Sequence, residues 1–558
     1  MTRSGVSLTL LGLALLAGCA YGAPNEDAAV DLRFGPVLSP PWLFETRGGD
    51  LVAQSSRPDT PPHLLQPAKD GRIRDISAAA SRASSIVAWL TASGEGRKLQ
   101  LLEVPAQGEL PAPVEIASRI SSNAVRVVAD ERGRRYVLDA SLGPNPRVQV
   151  TSLGDESSPS VGKRIELDIA EIGSIALLSA VVTEQRLYLF VTSSTDTQAV
   201  ISALTYRLPS LERDGPVKLV SEADRFVFIE PLVHSKKPGV VYKYQRDGTL
   251  GLGIALHHGR EWQDFAIPDA KGLDVARATA SAWDDGRILI VLSGEDSDHF
   301  KQRIYAAASN DWGKTWEFQQ ISRPKVSATR AWLPDLAVSG DRVAVAWEDS
   351  RDIRAAVHLQ LSRDRGRSWL DQDIQVSDER HYAMRPRIRA RKDDLFIAWY
   401  AYRTDARKKA DGTLVRLSWQ DAFGRAQRER HQDSTDDKRL ELRKTVNDYW
   451  DALQAGDLRR AYDHHDPFFR ARMPFDAFAA RRGQFVYHAH EIRSLEIDGN
   501  VARVHSTVNF EIPKLIVMGR EQSVPRRDSP IEDVWLYVDR AWHRQYVDAI
   551  SGGSAIKY

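Results

Sequence analysis

A short phrase occurs twice in this chain of 558 residues. It spans Ser309–Trp316 and Ser362–Trp369, and both copies read Ser-x-Asp-x-Gly-x-(Thr/Ser)-Trp. A degenerate third copy spans Ala255–Trp262 and has His257 where the aspartate belongs. The glycines of the three copies are about 50 residues apart, which is typical of a repeated four-stranded unit. The phrase therefore predicts a repeat protein made of small antiparallel sheets.

The chemistry of the phrase is that of a turn. Serine and aspartate side chains can hydrogen-bond nearby backbone amides, glycine supplies a positive φ, and tryptophan packs over the joint. The residues with these roles are Ser309, Asp311, Gly313, Trp316, Ser362, Asp364, Gly366 and Trp369. Because the phrase places no nucleophile beside a base, it predicts a fold and not a catalytic site.

Short apolar strands repeat along most of the chain. They are centred about 50 residues apart on Trp89, Leu138, Phe190, Tyr242, Leu292, Trp347 and Trp399. This spacing predicts seven repeat units between residues 42 and 432.

The repeated phrase resembles the Asp box of the sialidase (bacterial neuraminidase repeat) β-propellers. The resemblance implies that residues 42–432 form a sialidase-like β-propeller. Sialidases usually have six blades, so six blades remain an alternative to seven, with one unit serving as a lid or an insertion.

A second domain is predicted over residues 440–558. The pattern turns helical around Leu442–Leu453, with Gly456 as a C-cap, and two further helices are expected over 457–467 and 475–483. Strands are expected over 485–497, 501–512, 532–538 and 541–546. This order, with the spacing of Trp535 and Trp542, resembles the nuclear transport factor 2-like cone fold. The expected fold class is thus mainly β, with a β-propeller followed by a small α+β domain.

The N-terminus has the pattern of an export signal. An apolar run from Val6 to Ala17 is too short to span a membrane, and Cys19, the sole cysteine, stands where a bacterial lipobox cysteine would. The resemblance implies a signal peptide over 1–19, acylation of Cys19 and, with Ala20 following, an outer-membrane lipoprotein on the periplasmic side or the surface. Residues 20–41 are predicted to be a flexible tether. The alternative is a plain secretory signal with an incidental cysteine.

Charge excludes one class of partner. The 76 Lys and Arg residues nearly cancel the 75 Asp and Glu residues, so no global field favours nucleic acid. The membrane is expected as a partner through the lipid anchor.

Five arginines form the candidate binding site. Arg246, Arg351 and Arg403 each follow the central aromatic residue of a repeat by the same spacing. They are expected on the ring face opposite the Asp boxes, and Arg330 and Arg385 should reach the same rim. Guanidinium groups converging there could hold a carboxylate, as the three arginines of sialidases do. The alternative is local pairing with Asp349, Asp352 and Asp405.

The catalytic signature of a sialidase is incomplete. The resemblance calls for an acid/base Asp and a Tyr activated by a Glu, and it calls for an Arg-Ile-Pro motif that is missing here. Tyr382, Tyr400, Tyr402 and Glu348 are expected near the rim, without a defined pairing.

Three functions follow from these patterns. The favoured prediction is a non-catalytic module that binds an anionic glycan or an envelope protein. The alternative is an exo-acting glycoside hydrolase of the sialidase type, and a third possibility places the ligand in the C-terminal domain. No cofactor is expected.

Two polar clusters contain residue types that can bind metal ions. The run 295–299 could ligate Ca²⁺ through its carboxylates, but a solvated acidic loop is favoured. His488 and His490 could meet His464, His465 and Asp466, or could line a small-ligand cavity. No metal site is predicted.

Overall fold

The structure is a computed structural model. It describes residues 33–34, 42–47, 50–55, 62–80, 84–105, 110–129, 133–154, 161–194, 198–234, 236–258, 261–296, 301–324, 330–378, 381–403, 411–428, 435–481, 485–517 and 520–545. The signal, Cys19 and most of the predicted tether lie outside these residues, as do Gly259 and residues 297–300.

The first four sheets of the described chain are antiparallel and follow one another along the chain. The first contains β1 (Arg33–Phe34), β2 (Trp42–Arg47), β3 (Asp50–Ser55) and β4 (His63–Gln66). The second contains β5 (Arg72–Ala80), β6 (Ser84–Ser93), β7 (Gly96–Pro105) and β8 (Val114–Ile120). The third contains β9 (Ala124–Ala129), β10 (Arg135–Ser141), β12 (Arg147–Leu153) and β13 (Val161–Glu166), and the fourth β15 (Leu177–Thr183), β16 (Arg186–Ser194), β17 (Ala199–Arg207) and β18 (Lys218–Ala223). A two-stranded sheet joins β11 (Gly143–Pro144) to β14 (Ser174–Ile175).

Four more sheets follow in the same order. The fifth contains β19 (Arg225–His234), β20 (Lys237–Arg246), β21 (Thr249–His258) and β22 (Glu261–Ala266). The sixth contains β23 (Asp274–Ala282), β24 (Ile288–Asp296), β25 (Lys301–Ser309) and β26 (Glu317–Gln320). The seventh contains β27 (Ala331–Ser339), β28 (Arg342–Asp352), β29 (Arg354–Ser362) and β30 (Ile374–Gln375), and the eighth β31 (His381–Arg391), β32 (Asp394–Arg403) and β33 (Asp411–Ser418).

The eight sheets form a closed ring, so each sheet is a blade of a β-propeller. The first strand of each blade contacts the first strand of the next, and β1 of the first blade contacts β31 of the eighth. Burial follows position within a blade. Every residue of the third strand β29 is buried, whereas the outermost strand β13 is largely exposed. Blades therefore cover both faces of their neighbours.

The count of eight blades corrects the predicted count of seven and its six-bladed alternative. All seven predicted centres lie in second strands, from Trp89 in β6 to Trp399 in β32. The blade that the periodicity missed is the first. Its second strand, β2, is short and ends in charged and polar residues, and its first strand, β1, lies inside the segment expected to be a tether.

Apolar clusters fill the spaces between blades. One cluster lies at each of the eight blade-to-blade junctions, among the residues described. The junction that closes the ring is small, because Leu43 of the first blade meets Phe396, Ala398 and Tyr400 of the eighth. The ring thus closes by side-chain packing between β2 and the last blade.

The Asp boxes connect third strands to fourth strands in the sixth and seventh blades. In the first box the Ser309 hydroxyl accepts a hydrogen bond from the Gly313 N–H at 2.8 Å, and the Asp311 carboxylate accepts one from the Thr315 N–H at 2.9 Å. The second box repeats both bonds at 2.8 Å through Ser362 and Asp364. Trp316 and Trp369 pack into the junctions with the preceding blades. The boxes fasten one blade to the next.

The C-terminal part has helices on one side of a four-stranded sheet. Its helices are α2 (Thr435–Gln454), α3 (Leu458–Asp463), α4 (Pro467–Arg472) and α5 (Phe475–Arg481), and α1 (Trp419–Arg428) lies before them against the seventh and eighth blades. Its strands are β34 (Val486–Asp498), β35 (Val501–Val517), β36 (Arg520–Val538) and β37 (Ala541–Arg544). The predicted turns are present, with positive φ at Gly499 and Asp539, and the expected second helix is split at Asp466, whose side chain caps α4.

The closing junction gives a test of the ring. Truncation of the fully buried Leu43 to alanine should lower the free energy of unfolding by about 2 to 5 kcal/mol, because a cavity forms where few other contacts hold the ends together. Leu64 of the same blade is 58% exposed, so Leu64→Ala should change it by less than about 0.5 kcal/mol. Chemical denaturation measures both. Equal effects of the two substitutions would contradict closure at Leu43.

Candidate functional site

Two faces of the ring differ in what they carry. The upper face is defined here as the side where second strands lead into third strands, and the lower face carries the Asp boxes. Arg246 and Arg403 end β20 and β32, and Arg351 lies one residue from the end of β28, so all three belong to the upper face. Arg330 precedes β27, and Arg385 lies in β31.

Arg351 is held by two buried aspartates. One of its terminal nitrogens lies 2.6 Å from the Asp349 carboxylate and 2.7 Å from that of Asp373. Burial opposes the charge of the guanidinium, but the two carboxylates outweigh it and raise its pKa. Arg351 therefore pairs with two acids of its own blade. The predicted local pairing is thus observed for Asp349.

The other predicted arginines have different surroundings. Arg246 is exposed, lies 5.1 Å from the ring centre of Tyr244 and donates to the carbonyl of Glu222. Arg330 stacks over Trp332 at 4.4 Å and donates to the Gln302 side chain at 2.6 Å. The side chain of Arg403 lies outside the described residues. The structure therefore does not bring Arg246 and Arg351 to one shared group.

A buried carboxyl group brings Arg330 and Arg385 together. Glu348 lies in β28 opposite Trp332, is 6% exposed, and accepts a hydrogen bond from the Arg385 N–H at 3.0 Å. Burial raises the pKa of Glu348 to about 7, although that bond and the charges of Arg385 and Arg330 act in the other direction. Glu348, Arg330, Arg385 and Trp332 are called the upper-face cluster below.

Backbone geometry explains how the cluster forms. The pairing of β31 with β32 shifts register between Met384 and Arg387, and Arg385 within this bulge has a φ of 54°. A positive φ is uncommon for a residue with a side chain, and here it turns the Arg385 N–H toward the Glu348 carboxylate. The first strand of the seventh blade has a similar shift after Trp332, with a φ of 51° at Leu333.

Two aspartates, the buried Asp335 and the half-buried Asp75, link first strands of neighbouring blades. Asp335 of β27 accepts hydrogen bonds from the Ile388 N–H and the Arg389 guanidinium of β31, both at 2.9 Å. Asp75 of β5 makes the equivalent bonds to Val125 and Arg126 of β9. Burial works against the charge of Asp335, but nearby arginines hold its pKa low. The Asp335 link joins the seventh and eighth blades, which carry the cluster.

The C-terminal sheet docks beside the cluster on the upper face. Ile353, in the turn between β28 and β29, packs against Leu536 and Val538 of β36, and Tyr382 of the eighth blade joins this contact. Arg354 donates to both carboxylate oxygens of Asp539, at 2.6 and 3.0 Å. Sequence patterns do not predict this contact, because its residues lie nearly two hundred positions apart.

The tyrosines named as nucleophile candidates have packing roles in the described structure. Tyr382 packs against Ile353 and the C-terminal sheet. Tyr400 is 1% exposed and packs with Leu43 at the closing junction. The side chain of Tyr402 lies outside the described residues.

The histidines weighed as metal ligands are dispersed. The His464 ring nitrogen lies 2.7 Å from Asp448, whereas His490 contacts Gln454 and Asn447. Within the described ranges, no group of three His, Cys, Asp or Glu side chains is placed to hold a metal ion. Among these same residues, no helix has the length and apolar character needed to cross a membrane.

Comparisons with known proteins give remote likenesses. No protein-family description and no curated protein matches the sequence. The polysaccharide lyase Uly1 is similar at 8% identity and a TM-score of 0.44, over 61% of this chain and 89% of the lyase. The β-propeller domain of the Trilobed protease from Pyrococcus furiosus is similar at 11% and 0.37, over 62% and 95%. The NanB sialidase from Streptococcus pneumoniae is similar at 11% and 0.33, over 63% and 69%.

These scores are too low to carry an argument about activity. The assignment of the chain as a mainly β protein with a β-propeller rests on the order and contacts of its own sheets.

The raised pKa of Glu348 predicts a pH-dependent stability. Between its ordinary pKa of 4.5 and about 7, the folded state holds a proton that the unfolded state has released, so stability falls as pH rises through this window. This loss should be absent in Glu348→Gln. Between pH 5 and pH 8, the free energy of unfolding of the variant should therefore rise by about 2 to 3 kcal/mol relative to that of wild type. Denaturation at both pH values measures it, with the exposed Glu317→Gln as control. A constant difference between Glu348→Gln and wild type would refute the shift.

The docking contact is testable by a double-mutant cycle. Arg354 is almost buried and Asp539 is half exposed, so their bidentate contact should contribute a coupling free energy of about 1 kcal/mol. Denaturation of wild type, Arg354→Ala, Asp539→Ala and the double variant measures it. Additive effects of the two single changes would mean that the contact does not hold the sheet to the ring.

Proposed function

We propose that this protein is a non-catalytic binding propeller and that the upper-face cluster binds an anionic glycan. The observation that supports this most directly is the buried carboxyl of Glu348, with a pKa of about 7, beside Arg330 and Arg385. Two guanidinium groups next to one carboxyl that is half protonated at neutral pH leave positive charge for an acidic ligand.

The cluster has a further group suited to a sugar. Trp332 is half-buried under the Arg330 guanidinium, and its ring offers a flat apolar surface against which a pyranose can pack. The docked C-terminal sheet forms a wall beside the cluster through Ile353 and Tyr382. An acidic sugar would then be bound by charge on one side and by ring packing on the other.

The other predicted arginines have secondary roles in this proposal. Arg246, on the same face, extends the basic surface along a longer glycan, and Arg403 stays a prediction from the sequence because its side chain lies outside the described residues. Arg351 forms ion pairs with Asp349 and Asp373, and in this proposal these pairs support the wall beside the cluster.

The second candidate is an exo-acting glycoside hydrolase of the sialidase type. A buried carboxyl with a pKa of about 7 is suited to general acid–base catalysis, and Glu348 is such a group. This reaction also needs a nucleophile, but Tyr382 packs into the wall beside the cluster and Tyr400 packs at the closing junction. Binding requires fewer groups and is therefore preferred.

The cellular setting is also a proposal. The short apolar run before Cys19 supports export and acylation, which would place the protein on the outer membrane, facing the periplasm or the surface. A four-stranded sheet with helices on one side supports a nuclear transport factor 2-like fold for the C-terminal domain.

Binding of carboxylated oligosaccharides tests the proposal. Calorimetry with 3′-sialyllactose and tri-galacturonate should detect binding by at least one, and lactose should not bind. Arg385→Asn accepts the positive φ but removes the charge, so it should weaken binding about 10- to 100-fold. Arg367→Gln, an exposed change on the lower face, is the control and should have no effect.

The same assay at several pH values isolates Glu348. Affinity should fall as pH rises from 6 to 8, because ionised Glu348 offsets the arginine charges, and Glu348→Gln should abolish this dependence. Failure of both acidic sugars to bind would refute the proposed function. Turnover of a fluorogenic sialoside that Glu348→Gln abolishes would establish the hydrolase instead.

A further inference from the structure

The turn between β36 and β37 lies at the contact between the C-terminal sheet and the ring. Strand pairing leaves Asp539 and Arg540 as the two residues of a tight hairpin loop. The Asp539 carboxylate accepts two hydrogen bonds from the Arg354 guanidinium, at 2.6 and 3.0 Å. Val538, the residue before the loop, is 4% exposed and packs with Ile353 in the same contact. The loop is therefore fixed on the upper face of the ring.

The loop residues have a backbone conformation that usually calls for glycine. The φ angles are 54° at Asp539 and 63° at Arg540, and positive φ at both positions is the mark of a type I′ turn. Asp247-Gly248, between β20 and β21, has φ angles of 50° and 73° and places glycine at the second position. A side chain there costs backbone free energy, because its Cβ crowds the following carbonyl oxygen. Arginine at position 540 therefore indicates a function for the side chain itself.

The Arg540 side chain carries a charge that the protein does not neutralise nearby. It is exposed, and no acid pairs with it within the described ranges, whereas the neighbouring Asp539 is held by Arg354. A guanidinium group can donate two parallel hydrogen bonds to one carboxylate. A fixed loop thus presents an unoccupied carboxylate-binding group at the upper face.

The upper-face cluster lies close to this loop. Tyr382 packs in the docking contact, and Arg385, three residues further along β31, donates its backbone N–H to Glu348. Three residues of a strand span about 10 Å, a distance that a short oligosaccharide covers. Arg385 and Arg540 therefore come from two different domains but border the same surface.

We propose that Arg540 completes the glycan site of the upper face, so that the ligand binds across both domains. This inference rests on the proposed function. Arg330 and Arg385 bind the carboxylate of one sugar, and Arg540 binds the carboxylate of a neighbouring sugar. The ligand class is therefore an oligosaccharide with acidic groups on successive sugars, such as an oligouronate, rather than a glycan with a single terminal acid.

Calorimetry of the full chain with tri-galacturonate tests this inference. Arg540→Gln should weaken binding about tenfold, because it removes one charged contact with the ligand. Affinity for 3′-sialyllactose, which has a single carboxylate, should not change. Arg443→Gln is the matched control, because Arg443 is an exposed arginine on α2, on the far side of the sheet from the docked face.

Arg540→Gly separates binding from stability. Glycine takes the positive φ without a Cβ, so the Tm of this variant should stay the same or rise. Its affinity for tri-galacturonate should nevertheless fall as far as that of Arg540→Gln. A side chain that only supported the fold would give the reverse, a lower Tm and an unchanged affinity.

Asp539→Asn tests whether docking presents Arg540 to the ligand. Asparagine accepts the positive φ but lacks the charge that holds Arg354, so the loop is no longer fixed. In this background, Arg540→Gln should weaken binding less than about twofold. An equal effect of Arg540→Gln with and without Asp539→Asn would overturn the inference.

The outcomes distinguish this inference from the proposed function. Binding of tri-galacturonate that Arg385→Asn weakens and Arg540→Gln does not would overturn the inference and leave the proposed function intact. Binding of 3′-sialyllactose alone would have the same meaning. Failure of wild type to bind either acidic sugar would refute the proposed function as well.

Discussion

Apolar packing between neighbouring blades holds the whole ring together. Each blade buries one face against the preceding blade and the other against the following blade, so no single blade has a complete core. The consequence is greatest where the ring closes. There Leu43 meets Phe396 and Tyr400 in a small cluster, and the side chains of two distant parts of the chain hold the ring together. Closure of the ring therefore sets the relative positions of the blades that carry the upper face.

Buried polar groups are placed where blades meet, and they divide into two kinds. The buried Asp335 and the half-buried Asp75 each accept hydrogen bonds from a backbone N–H and an arginine of the following blade, and these bonds align the first strands. Glu348 is different, because burial outweighs the opposing effects of two arginines and leaves its carboxyl half protonated near neutral pH. A structural carboxylate is stabilised by its partners, whereas Glu348 is suited to respond to a ligand or to pH.

The repeated strands could be predicted because burial on both faces demands long apolar runs, and the seven centres from Trp89 to Trp399 have this character. The first blade was not predicted, because β1 and β2 are short and polar at their ends. The site was only partly predictable. Spacing placed the arginines on one face, but it did not reveal that Arg351 would face Asp373, or that Arg385 would sit in a bulge beside Glu348.

Local sequence was enough to specify the turn chemistry of the Asp boxes, the strands around the central aromatic residues, and the helix-to-strand order after Thr435. Tertiary structure alone decided the number of blades in the ring, the docking of Asp539 onto Arg354, and the environment of Glu348. The physical reason is the range of the interactions. Turns and strand patterns depend on residues a few positions apart, whereas ring closure, docking and burial depend on residues that only the folded chain brings together.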